Sequence, residues 1–86
     1  MRTIWKFQLT AMEIPMPQDA VICTFDFQNG VPCIWACVDS EAEKVVRRFK
    51  IVGTGHETPG ADYSYTGTAQ NPPFVWHLFD HRREGL

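Results

Sequence analysis

Serine is nearly missing from this 86-residue sequence, which has only Ser40 and Ser64. Neither lies on the sharp, glycine-flanked elbow that an acyl-transferring serine needs, so that chemistry is excluded. Cysteine is scarce as well, and the odd set Cys23, Cys33 and Cys37 suits a reducing compartment better than a disulfide-stapled scaffold. An excess of positive charge is absent. The formal net charge of -2 does not draw phosphate backbones or anionic membranes, which excludes non-specific nucleic-acid binding. A long apolar run is absent from the start of the chain, where charged and polar residues recur at every second place, so no secretory signal or membrane span is expected. Asp26, Asp39, Asp62 and Asp80 are scattered singly, and paired-carboxylate chemistry has no pair to work with. Repeats, low-complexity tracts and linkers are missing too. The chain reads as a single compact domain over residues 1–81, with 82–86 as a flexible tail, and as a protein without catalysis or cofactor.

What is present is a core. Hydrophobic residues make up 44% of the chain and aromatic residues 13%, enough to bury a β-rich interior. The most informative segment is 21–39, where Asn29-Gly30 sits between two apolar runs. Asn-Gly favours the positive φ angles of a type I′ turn, whose twist matches that of the strands it joins. Pairing Gln28 with Val31 sets Phe27 against Pro32, Phe25 against Ile34, Cys23 against Ala36 and Val21 against Val38, all apolar or small. Side chains alternate along a strand. The other face then carries Cys33, Trp35 and Cys37 together with Asp26 and Thr24, and it is the expected interface surface.

The remaining strands follow from alternation and turn residues. Trp5, Phe7 and Leu9 share one side of a first strand. Met12, Ile14 and Met16 continue an every-second pattern, but Pro15 and Pro17 demote that segment to an edge or an extended loop. Ser40 and Glu43 have capping-box spacing, which predicts a short helical turn or loop before a strand from about Val46 to Val52. Pro59-Gly60 and Asn71-Pro72-Pro73 mark turns around a strand containing Tyr63 and Tyr65. The last strand, from Phe74, is apolar on both sides apart from His77 and belongs in the middle of a sheet or between layers. These elements predict a mainly β fold: a small antiparallel β-sandwich or open barrel of about six strands with at most one short helix. A single sheet packed on one short helix is the alternative.

Metal-ligand spacing is not met. His77 and His81, like Cys33 and Cys37, are four residues apart in predicted strands, about 13 Å at strand rise, so no metal site is expected. Gly53-Thr54-Gly55-His56 is the best local candidate for binding. Glycines around a threonine after a strand can expose successive amides to an anion, with the Thr54 hydroxyl and His56 as further donors and Arg48 and Lys50 on the preceding strand to assist a phosphate.

The opening Thr3-Ile4-Trp5-Lys6-Phe7, Met16-Pro17 before a hydrophobic strand, Gln28-Asn29-Gly30-Val31-Pro32 followed by Trp35-Ala36 and Val38-Asp39, and Gly53-Thr54-Gly55-His56 together resemble a family of small bacteriophage proteins. That resemblance implies a viral origin, a compact β-rich domain and no assigned activity. With it the expected role is that of an accessory binding protein in the host cytoplasm, a homo-oligomer that sequesters a phosphorylated nucleotide signal as a counter-defence. The alternative is a protein-binding inhibitor of a host defence or housekeeping protein.

Overall fold

A computed structural model describes residues 1–81; the expected tail at 82–86 lies outside the described residues. Seven antiparallel strands form two sheets. They are β1 (Arg2–Gln8), β2 (Glu13–Pro17), β3 (Val21–Gln28), β4 (Val31–Asp39), β5 (Lys44–Gly53), β6 (Tyr63–Asn71) and β7 (Phe74–His81). One sheet has the order β1-β4-β3 and the other β2-β5-β7-β6, with β3 packed against β6 to close an open sandwich. No helix occurs among the described residues.

The Asn29-Gly30 hairpin is as its residues require. Asn29 and Gly30 have φ of 54° and 79°, positive at both central positions as a type I′ turn demands. Valine adopts such angles only with strain of about 1–3 kcal/mol. Gly30→Val is therefore expected to lower stability by about that much, read as a shift in the urea midpoint, whereas Asn29→Gly leaves it within a few tenths.

Pairing from Gln28/Val31 through Thr24/Trp35 follows the predicted register, but a β-bulge then shifts it between Ile22 and Thr24. Val21 faces Cys37 and Ile22 faces Ala36, in place of the expected Val21/Val38 and Cys23/Ala36 pairs. The extra residue at Cys23 reverses the inside–outside parity. Ile22 turns toward the core, while Val21 is left 58% exposed on the outer face.

Of the helical turn or loop expected at Ser40-Glu41-Ala42-Glu43, the structure has the loop, a non-helical turn. The Asp39 side chain takes the capping role: Glu41 N–H donates to Asp39 Oδ1 at 3.0 Å, and Ala42 N–H donates to the Asp39 carbonyl. The Glu41 amide, with the amino terminus 3.4 Å from Oδ1, holds the Asp39 carboxyl below its ordinary value. The β-formers Val45 and Val46 are extended from the outset, so β5 begins at Lys44, earlier than expected.

The core lies between the sheets. Leu9, Phe25, Ile34, Ala36 and Val38 from the three-stranded sheet meet Met16, Phe49, Ala69 and Leu78 from the four-stranded one. β7 is central, between β5 and β6, as its two apolar faces predict. β2 is the predicted edge, and its prolines cost the ladder nothing. Phe49 N–H donates to Met12 O and Gln18 N–H to Glu43 O, so the even-numbered residues point their backbone groups at β5. Pro15 and Pro17 thus place their missing donors on the open side.

One ion pair reaches into this interior, with the Arg47 side chain 6% and the Asp80 side chain 22% exposed. Arg47 is 5% exposed; its guanidinium donates to Ala20 O at 2.9 Å and to Asp80 Oδ2 at 2.6 Å and lies 5.9 Å from the centre of the Phe49 ring. Asp80 Oδ1 is buried and accepts from no described residue.

Candidate functional site

Residues 53–56 close β5 with a tight turn. His56 N–H donates to Gly53 O at 3.1 Å, and Gly55 has φ of 88°, as the third position of a type II turn requires. Thr54 N–H donates across to Val75 O at 3.2 Å. Two of the amides that were expected to face an anion are therefore committed within the protein. The segment is a closed turn rather than an open row of donors.

Its importance lies in what β7 brings beside it. Gly53 pairs with Trp76, and because side chains alternate, Phe74 and Trp76 flank the turn on one face of the sheet while His77 and Phe79 flank it on the other. The His56 ring folds back over Gly53, so close that a Cβ there would stand 3.2 Å from its Cε1 and Nδ1 and 3.5 Å from Trp76 Cζ3. Any larger residue at 53 would push the His56 ring aside by a few tenths of an ångström. Two clefts result, sharing Gly53, Thr54 and His56 as their common wall.

The first cleft, of about 340 Å³, continues over Pro73, Phe74, Val75 and Trp76. Phe74 is 60% exposed, and its ring lies 5.8 Å from that of Trp76 at an interplanar angle of 51°. A flat apolar ligand finds two aromatic surfaces there, with the imidazole of His56 beside them. The second cleft, of about 270 Å³, is bounded by Val52, Thr58, His77 and Phe79. On that face both nitrogens of His77 are engaged: Nε2 lies 2.7 Å from Thr54 Oγ1 and Nδ1 lies 2.9 Å from Thr68 Oγ1, which in turn lies 2.6 Å from the Tyr65 hydroxyl. This chain of hydrogen bonds ties the 53–56 turn to β6 and β7 and holds the His77 ring from both nitrogens.

The cations expected to help do not converge on the turn. Arg48 pairs with Glu13 at 3.3 Å, and the Lys50 ammonium stands 4.9 Å over the Tyr63 ring. Counted along β5, Lys50 is about 10 Å and Arg48 about 16 Å from Gly53. His81, on the same face as His77, is 3.2 Å from Asp62.

The expected interface residues divide. On the outer face of the three-stranded sheet, Ile4, Cys37 and Val21 form one row across β1, β4 and β3, and Lys6, Trp35 and Thr24 form the next. Ile4 is 59% exposed, and Trp35 and Cys37 are part-exposed. Cys33 is withdrawn from that surface. It is fully buried on the central strand, in a position that the Lys6 Nζ to Gln28 Oε1 bond of 2.6 Å crosses from one neighbouring strand to the other. Sequence reasoning passed over Phe74, Trp76, His77, Thr68 and Tyr65 as site residues. Their only local signal is the alternation of the two strands that carry them, β6 and β7.

No curated protein and no solved structure matches the chain. One family matches residues 1–85, and its description reads Domain of unknown function (DUF7352).

Proposed function

The chain belongs to that family of unknown function, DUF7352, and on the geometry of its own clefts we propose that it is a small non-catalytic binding protein that takes a nucleotide at the 53–56 turn. The observation that carries this reading is the first cleft, where Phe74, Trp76 and His56 gather around one opening. Base stacking on an aromatic side chain is worth about 1–3 kcal/mol and needs no particular base. The closed turn and the displaced Arg48 and Lys50 assign the larger share of affinity to the ring, with His56 as the donor nearest to a phosphate oxygen. The likeness to small phage proteins gives the reading its biological setting: a phage-encoded accessory protein that withdraws a phosphorylated nucleotide signal in the host cytoplasm as a counter-defence.

Calorimetric titration with cyclic mononucleotides, cyclic dinucleotides and ADP-ribose tests it. Saturable binding of one of them is expected, with Trp76→Ala weakening it roughly tenfold or more and Phe79→Ala, in the other cleft, leaving it unchanged. Absence of heat with every one of these ligands at millimolar concentration would sink the reading.

A second reading, a protein-binding inhibitor of a host protein, draws on the exposed row of Ile4, Cys37 and Val21 beside Trp35. The two differ in what they need. The inhibitor requires a partner macromolecule and is indifferent to Trp76→Ala.

A further inference from the structure

The four sheet edges of this domain are not alike, and one of them is unguarded. An edge strand offers a row of unpaired amides and carbonyls, which soluble proteins blunt with prolines, bulges or a covering element. β2 carries Pro15 and Pro17 on its open side. β3 and β6 are interrupted by the bulges between Ile22 and Thr24 and between Tyr65 and Gly67, and they pack against each other. Among the described residues, β1 has none of these. It is seven regular residues without proline or bulge, paired only with β4 among the described residues. Its one lysine, Lys6, reaches back across the sheet to Gln28 instead of guarding the edge.

The direction of its free groups follows from the β1–β4 ladder. Ser40 N–H donates to Met1 O and Leu9 N–H donates to Pro32 O, so odd-numbered residues of β1 bond to β4. Arg2, Ile4, Lys6 and Gln8 therefore direct both N–H and C=O outward.

We propose that β1 is the docking edge for a second copy of this chain, joined antiparallel about a two-fold axis at Trp5. Trp5 is the midpoint of the strand, so this register overlaps β1 along its whole length. It matches each copy's outward residues in hydrogen-bonded pairs, Arg2 with Gln8 and Ile4 with Lys6. No like charges meet. Shifting the axis to Ile4 sets Arg2 against Lys6, and shifting it to Lys6 sets Lys6 against itself, so charge selects the full-length register. Between the hydrogen-bonded pairs, Trp5 meets the second copy's Trp5 and Thr3 meets Phe7, in the closer pairs where cross-strand aromatic contacts are strongest. Trp5 and Phe7 are half-buried on the core side of β1 with rings 6.3 Å apart, and the second copy extends the apolar surface that they cover. The product is one six-stranded sheet, β3-β4-β1-β1-β4-β3, with a sandwich at each end.

Sedimentation velocity of the full chain from low micromolar to about 500 µM tests the proposal, which stands independently of the nucleotide reading. A monomer–dimer equilibrium or a stable dimer is expected. Ile4→Glu sets a carboxylate opposite Lys6 twice in the dimer, and Ile4→Lys sets an ammonium there twice, so the first is expected to dimerise at least roughly tenfold more tightly than the second. Position 4 is exposed on the outer face, so both variants keep the fold. Lys6→Pro, which removes an outward amide and no β4 bond, is expected to give a monomer with the circular dichroism of the wild type. A wild-type chain that stays monomeric throughout overturns the proposal. So does a dimer equally tight in both Ile4 variants, or one abolished by Trp35→Ser, which locates the contact on the outer face instead.

Discussion

Asp80→Ala is expected to destabilise the domain by several kcal/mol at 25 °C, about 3–5 kcal/mol for a pair with one buried member. Removing the carboxylate strands the Arg47 guanidinium in the interior, 5% exposed, with only the Ala20 carbonyl and the Phe49 ring for company. Breaking a buried pair from one side costs about 3–5 kcal/mol. A domain of this length has a total stability of roughly 4–13 kcal/mol at the usual value per residue, so the loss removes nearly all of it at the low end of that range and about a third at the high end. Urea denaturation followed by far-UV circular dichroism reads it directly. Replacing both members, Arg47→Met with Asp80→Leu, is expected to restore stability to within about 1 kcal/mol of the wild type, because two charges and their desolvation disappear together. If Asp80→Ala alone costs less than about 1 kcal/mol, the pair behaves as a surface contact and the account given of this interior is wrong.

Phe49→Ala carries the second large effect. The ring is 1% exposed and sits in the middle of the packed interior between the sheets. Emptying such a site costs about 3–5 kcal/mol in transfer and cavity terms. For a domain of this size that lowers the melting midpoint by roughly 15–30 °C, which thermal circular dichroism would show. Phe49→Leu retains most of the volume and is expected to melt within about 10 °C of the wild type. The two sites share Arg47, so their combined loss should fall short of the sum of the separate ones, and a double-mutant cycle would report the difference as a coupling.

Much of this architecture is legible in the sequence because its signals are local. Asn29-Gly30 announces the hairpin, Pro15 and Pro17 announce the edge, and the two apolar sides of the Phe74 strand announce its central place. The bulge at Cys23 is not legible. It has no glycine to mark it, and it is favoured because Ile22 packs better inside than Cys23 would, a comparison that only the assembled core can make. Arg47, Arg48 and Lys50 look alike as a basic stretch, yet alternation along β5 sends Arg47 into the core and the other two to the surface.

The site was half legible. The strand-ending turn at 53–56 is visible in the sequence, but the aromatic residues beside it are not, since Trp76 reaches Gly53 only because β7 inserts between β5 and β6. Sequence proximity also misled over the cations. Residues three and five places before a turn are near it in a helix, but a strand advances about 3.3 Å per residue and carries them away. The burial of Cys33 depends on Lys6 and Gln28, which approach from two different strands.

The strand order sets a schedule for folding. β3 with β4 and β6 with β7 are joined by tight turns and can zip as soon as they exist, whereas β1 must find β4, and β2 must find β5, across some thirty residues of intervening chain. Closing loops of that length delays such contacts. On the ribosome the first seventeen residues therefore emerge earliest and dock after the strands that follow them. Until then Trp5, Phe7 and Met16 wait unpaired, and the interval in which this small protein is most exposed to misassembly falls at its beginning rather than its end.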